Sequence, residues 1–141
     1  MFNDVLLPID LNHPESWSKS LPLAAKMAGK GGTVHVLGIV HDLGSAMVAN
    51  FLPADFEKKA IARMKDELEA FKAEHMPEGV RADTHVGHGH VPETILKIAG
   101  NVGADLIVMA SHPPGDLGTL LVGSNADRVV RHAHLPVLVV R

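Results

Sequence analysis

The residues best placed to do chemistry lie in one stretch, 106–124, LIVMASHPPGDLGTLLVGS. Leu106-Ile107-Val108-Met109 is a short apolar run of the kind found in a buried strand. It ends in a small residue, Ala110, and passes into a Pro/Gly-rich loop from Ser111 to Gly118. Gly123 and Ser124 follow, and a helical pattern begins there. A strand, a loop and Gly-Ser at a helix start leave unpaired N–H groups facing the loop. The helix dipole favours negative charge at that end, so the fitting occupant is a phosphate. Many strand-to-helix crossovers share this outline, so a plain turn that only starts a helix is an equal reading of these residues alone. His112 has no carboxylate near it in sequence to orient it, which makes it a loop donor rather than a general base.

The elements that must carry this loop follow from the chain in order. Val5-Leu6-Leu7-Pro8-Ile9 reads as a strand buried on both faces, with pairing expected to end near Pro8, which has no N–H. Asp10 then sits at its carboxyl end. A helix is expected from about Glu15 to Gly29, with Trp17, Leu21, Ala24, Ala25, Met27 and Ala28 largely inward and Pro22 kinking or dividing it. Thr33 to Val40 is a second strand, and 41–53 a loop. Phe56, Ala60, Met64, Leu68 and Phe71 recur at helical spacing over roughly 54–75. Val80 to Val86 is a third strand, polar enough for a sheet edge. Pro92 opens a helix that Gly100 and Gly103 end. The fourth strand and its loop come next. Ser124-Asn125-Ala126-Asp127 has the form of a capping box for a helix to about His132. Residues 136–141 are the last strand.

Strands and helices alternate throughout, which predicts a parallel sheet with right-handed crossovers and helices on both faces. Ligands of such sheets bind beyond the carboxyl ends of the strands, where the winding reverses. Asp10 and Ala110 both lie at carboxyl ends and face one crevice if strands one and four are neighbours.

Composition narrows the class. The chain has 141 residues, enough for one domain, and its formal net charge of -3 comes without a basic block, which argues against a nucleic-acid partner. There is no cysteine, so disulfide and thiolate chemistry are excluded. The start, MFNDVLLPID, lacks the features of a signal peptide, and no apolar run reaches the length of a membrane span. A cytoplasmic location is the expectation. His85, His88 and His90 invite a metal reading, but no third ligand accompanies the pair that shares a strand face, so a solvated cluster is expected and no metal. Val137-Leu138-Val139-Val140 is apolar; as an edge strand it would call for a partner, most simply a second copy related by two-fold symmetry.

The segment MASHPPGDLGTLLVGSNADRVVRHAHLPVLVVR, the opening VLLPID, and GHVPETILKIA followed by GADLIVMASH resemble, in the same order, the universal stress protein (UspA) superfamily over the whole chain. The resemblance implies a single-domain α/β fold, flavodoxin-like and of the adenine-nucleotide alpha hydrolase-like type, with five parallel strands in the order 3-2-1-4-5. It also implies a homodimer through the last strand, Val137–Arg141, and a regulatory role in stress response or transporter regulation. The nucleotide-binding branch carries Gly-x2-Gly-x9-Gly-Ser/Thr, which falls here on Ala110, Pro113, Gly123 and Ser124. By resemblance, Asp10 with Pro8 and Ile9 would contact adenosine. Ile39 or Val40 would lie beside adenine, and Met109 near the nucleoside. Gly123 and Ser124 would hold phosphate, with Asn125 beside them. The implied cofactor is ATP, alone or with Mg2+, with AMP and ADP as alternatives.

Two glycines of that pattern are replaced. Ala110 adds one methyl. Pro113 removes an N–H donor and fixes φ near −65°. One charge-assisted phosphate hydrogen bond is worth roughly 1.5–3 kcal/mol, so the loss weakens binding about tenfold to a hundredfold without abolishing it. His112 and Ser111 are replacement donors. The Ala-Ser-His loop resembles UspF/UspG-like members and members associated with TRAP-type solute transporters. Three classes therefore stand: a nucleotide-binding regulator, a nucleotide-free adaptor dimer docking on a transporter or another protein, and a slow ATPase or autophosphorylating protein. No Walker lysine and no acid/base pair supports the last, so no catalytic residue is expected.

Overall fold

A computed structural model describes residues 1–41, 54–111 and 123–141. Five strands, β1 (Asp4–Ile9), β2 (Thr33–His41), β3 (Arg81–Gly89), β4 (Leu106–Ala110) and β5 (Val137–Val140), form one sheet in the order β3-β2-β1-β4-β5. Every pairing is parallel. Four helices connect them among the described residues: α1 (Ser20–Ala28), α2 (Phe56–His75), α3 (Val91–Val102) and α4 (Gly123–His132), with a short 3-10 turn at Pro14–Ser16.

The strands are apolar without alternation because both faces of the sheet are covered. Val5, Leu7 and Ile9 of β1 pack with Leu21, Ala24 and Ala28 of α1 and with Leu68 and Phe71 of α2. The intervening Leu6 faces the other layer, with Ile95 and Ala99 of α3 and Ala126 and Val129 of α4. Leu6, Leu7, Ile107 and Met109 are fully buried, each contributing about 1.5–3 kcal/mol of transfer free energy. The expected strand order and the placing of helices on both faces are what the structure shows.

Several boundaries move. Pairing of β1 runs on to Ile9 opposite Gly38 on the β2 side, but towards β4 it stops at Leu6 opposite Ile107. The expectation that pairing ends near Pro8 therefore holds on one side only. The carbonyl of Asp4 faces β4, so by alternation Pro8 also faces β4, and that is the ladder its missing N–H interrupts. The helix expected over 15–29 is divided, as Pro22 suggested, but the break precedes the proline. Pro22 is the third residue of α1, where an N–H has no intrahelical acceptor to lose. Gly100 does not end α3. The helix runs through it to Val102 and stops at Gly103, whose φ of 66° is left-handed. Phe56, read as an inward position, is 39% exposed at the start of α2. Ser124, read as a helix cap, lies inside α4, which already includes Gly123.

The turn from α1 into β2 is tight. A Cβ on Gly32 would collide with the carbonyl oxygens of Ala28 and Phe2, both backbone atoms that cannot swing away. Gly31 beside it has open space. Gly32→Ala is expected to cost about 1–3 kcal/mol in urea unfolding, whereas Gly31→Ala stays within about 1 kcal/mol of the unmodified protein. Equal effects at the two positions would contradict this packing.

Candidate functional site

The winding of the sheet reverses between β1 and β4, whose pairing ends at Leu6 opposite Ile107; the cavity at the carboxyl end of β1 lies on its other side, against β2. Asp10 is the first residue past β1, and it is only 8% exposed. A buried carboxylate at such a point must be held by donors or shift its charge. Here the surrounding backbone is locked by Ser16, which is fully buried. The Asp10 amide donates to Ser16 Oγ at 2.8 Å, and the Ser16 hydroxyl donates back to the Asp10 carbonyl at 2.9 Å. The Asn12 amide donates to Asp10 Oδ1 at 3.1 Å, closing an Asx turn, and His13 Nε2 lies 3.9 Å from Oδ2. The 3-10 turn thus holds the Asp10 backbone, and the Asn12 amide directs its side chain.

Beside Asp10 is a cavity of about 480 Å³, within the range of small-molecule sites. Ile9 and Asp10 from β1 and Ile39 and Val40 from β2 form its strand wall, with Leu11 and Asn12 at the turn. Helix α2 supplies the facing wall through Ala60, Arg63, Met64 and Glu67. Gly38 permits this closeness. A Cβ there would stand 2.8 Å from Met64 Sδ and 3.0 Å from Leu68 Cδ1, so a side chain at this position would make those two side chains of α2 shift. Arg63 Nε donates to Glu67 Oε1 at 2.9 Å, one helical turn apart. Both are exposed, so the pair adds little stability, but it sets a donor and an acceptor at the mouth of the cavity.

The structure brings together Ile9, Asp10, Ile39 and Val40 of the residues expected to bind adenosine. Pro8, Met109 and Ala110 are buried within the sheet. Met109 has no exposed surface and packs in the layer of α3 and α4. Gly123, Ser124 and Asn125 form the first described turn of α4; Ser124 is exposed and its two neighbours are half-buried. His112 and Pro113 lie outside the described residues. Ser16, Arg63, Met64 and Glu67 were not anticipated. Met64 was legible only as an inward helix position, and Arg63 and Glu67 only as part of a charged, solvated face.

The model of the universal stress protein family matches residues 1–141. The chain belongs to the universal stress protein family. It is 32% identical over 144 residues to universal stress protein G of Escherichia coli O157:H7, covering 100% of both chains. Among solved structures it resembles protein MJ0577 of Methanocaldococcus jannaschii, at TM-score 0.78 and 28% identity, over 99% of this chain and 96% of that one. A universal stress protein in complex with cAMP shares the fold at TM-score 0.62 and 16% identity, over 99% and 97% of the two chains. An Arabidopsis thaliana family member with AMP bound does so at TM-score 0.59 and 15% identity, over 98% and 90%.

Removing the Ser16 hydroxyl would leave the Asp10 amide without its acceptor in a buried turn. Ser16→Ala is expected to lower unfolding free energy by about 1–3 kcal/mol. Urea unfolding checks this, and a change under about 0.5 kcal/mol would show that the turn does not depend on the hydroxyl.

Proposed function

We propose that this universal stress protein binds an adenine nucleotide in the cavity between β1, β2 and α2 and acts as a regulatory binder rather than an enzyme. The observation that carries the reading is the buried carboxylate of Asp10 beside an apolar wall, Ile39 and Val40, at the reversal of the sheet. An adenine ring needs a flat apolar slot, and a ribose offers two hydroxyls that a fixed carboxylate accepts. The family members crystallised with cAMP and with AMP support an adenine nucleotide as the ligand. ATP, with or without Mg2+, is the preferred ligand, with AMP and ADP sharing the same base and ribose contacts. Gly123, Ser124 and Asn125 in the first turn of α4 are the phosphate side of the proposed site, where N–H groups and the helix dipole favour an anion. Ala110, His112 and Pro113 belong to the same proposed loop, with Pro113 lowering affinity by its missing donor.

The proposed assembly is a homodimer through β5 in the cytoplasm. β5 is an edge strand of four apolar residues, each half-buried, which suits pairing with a second copy. Among the described residues no helix is long and apolar enough to cross a membrane. Pro113 favours a second reading, a nucleotide-free adaptor dimer that docks on a transporter or another protein.

Calorimetric titration of the stripped, folded protein with AMP and with MgATP tests the proposal. Saturable binding is expected, weakened at least about tenfold, or about 1.4 kcal/mol, in Asp10→Ala. Absence of heat at millimolar nucleotide would overturn it in favour of the adaptor. Phosphate release from MgATP in a single turnover would overturn the assignment as a binder alone.

A further inference from the structure

His85 is not part of a solvated cluster with His88 and His90, as the sequence suggested. It lies on the side of β3 that faces α3 and bonds to a buried histidine of the next strand. His35 Nδ1 is 2.8 Å from His85 Nε2, and His35 Nε2 is 2.8 Å from Asp4 Oδ1. His35 is 7% exposed. Three strands thus contribute one chain of hydrogen bonds, Asp4 from β1, His35 from β2 and His85 from β3. Its polarity follows from the acceptor at its end. The Asp4 carboxylate can only accept, so His35 Nε2 carries the hydrogen. With a single hydrogen on that ring, His35 Nδ1 is the acceptor and the Nε2–H of His85 the donor. His85 is left with Nδ1 as an acceptor. In that arrangement the tautomer of His85 follows from a carboxylate two strands away.

His85 also lines a second cavity, of about 470 Å³, along the open edge of β3. Its apolar walls are Ile61 of α2, Val86 of β3 and Ile98 and Val102 of α3. Lys65 of α2 is the one cation on its wall among the described residues, and Thr84 and Asn101 add polar atoms. The Thr84 hydroxyl is engaged, donating to Glu69 at 2.6 Å. An apolar trough with a lysine and a proton-accepting imidazole matches the two halves of one ligand class.

We propose that this cavity binds a small apolar monocarboxylic acid, its hydrocarbon body on Ile61, Ile98 and Val102 and its carboxylate between Lys65 and His85. Binding of the carboxylate takes up one proton from solvent at His85 Nδ1. The resulting imidazolium donates to the ligand through Nδ1–H and to His35 through Nε2–H. Asp4 balances its charge through His35. The charged and titratable groups around His85 are consistent with this exchange. Burial and the neighbouring His35 hold the His85 imidazole below its ordinary value, against the attraction of Asp83. The neutral imidazole is thereby favoured without a ligand; Lys65 lines the site from α2, and Glu69, bonded to Thr84, lies near Lys65 outside the lining. The wall from α3 is formed by Ile98, Asn101 and Val102, which carry no charge. Affinity should accordingly rise by up to about tenfold for each unit of pH lost above the His85 midpoint.

Octanoate is the probe. In methyl-labelled protein followed by NMR between about pH 8 and about pH 6, it is expected to shift the methyls of Ile61, Val86, Ile98 and Val102 saturably, and more tightly at lower pH. His85→Gln keeps a donor to His35 but has no group that takes up a proton, so its affinity should lose the pH dependence. Asp4→Asn removes the balancing charge and should reduce the same slope, which keeps the test available if His85→Gln does not fold. Two results overturn the proposal: no methyl shifts at millimolar octanoate, or binding whose pH dependence is the same in the folded variants and the unmodified protein, which is adsorption on an apolar surface only.

Discussion

The site depends on how β1 is paired. As the middle strand of five it has a neighbour on each side and helices over both faces, so each of its residues has a buried place to fill. Pro8 then sets a limit: the carbonyl of Asp4 faces β4 and that of Asn3 faces β2, so alternation turns Pro8 towards β4, the side on which its missing N–H is lost. The ladder to β2 continues to Ile9, and the ladder to β4 ends at Leu6. The two central strands part where the winding of the chain reverses. Asp10 emerges at that parting with its backbone held by Ser16.

The other wall of the cavity depends on a close approach rather than on pairing. Helix α2 lies near β2 because Gly38 offers no side chain against Met64 and Leu68. That contact brings Arg63 and Glu67, exposed on the helix, over the end of β2. The same helix is joined to the start of the domain through aromatic packing. Trp17 meets Phe71 edge-on, with ring centroids 5.0 Å apart, and also packs on His75 at 4.4 Å. The residues that hold the 3-10 turn and those that hold α2 are thus in contact. At the opposite end of β1, the amides of Asn3 and Asp4 donate to the carboxylate of Asp105, each at 2.9 Å. Burial raises the Asp105 carboxyl, but these two amides, its own amide and the N-terminal ammonium together outweigh it and hold it below its ordinary value.

Much of this was legible in the sequence, and what was not shares a cause. Apolar runs such as Leu106–Met109 identified the strands, and alternation with helical spacing gave a parallel sheet before any coordinates. The order 3-2-1-4-5 came from resemblance, since no local pattern states which strands are neighbours. Asp10, Ile39 and Val40 were legible because carboxyl ends of strands can be found from apolar runs. Ser16, Arg63 and Glu67 were not, because their roles come from contacts across the chain and not from spacing within it. His85 was misjudged for the same reason: its neighbours in sequence are exposed histidines, but its partner in space is His35, fifty positions away. Gly100 was read as a stop because glycine is a poor helix former. The buried face of α3, Val91, Ile95 and Ala99, carries the helix past it to Gly103.

The central claim is that the cavity between β1, β2 and α2 is where an adenine nucleotide lies. Photolabelling with 8-azido-ATP, followed by peptide mapping, tests it most directly. The account predicts saturable labelling within Ile39–Val40 or Ala60–Glu67, suppressed by excess AMP or ATP. Labelling that does not saturate, or that maps to peptides away from this cavity while nucleotide still competes, would contradict it.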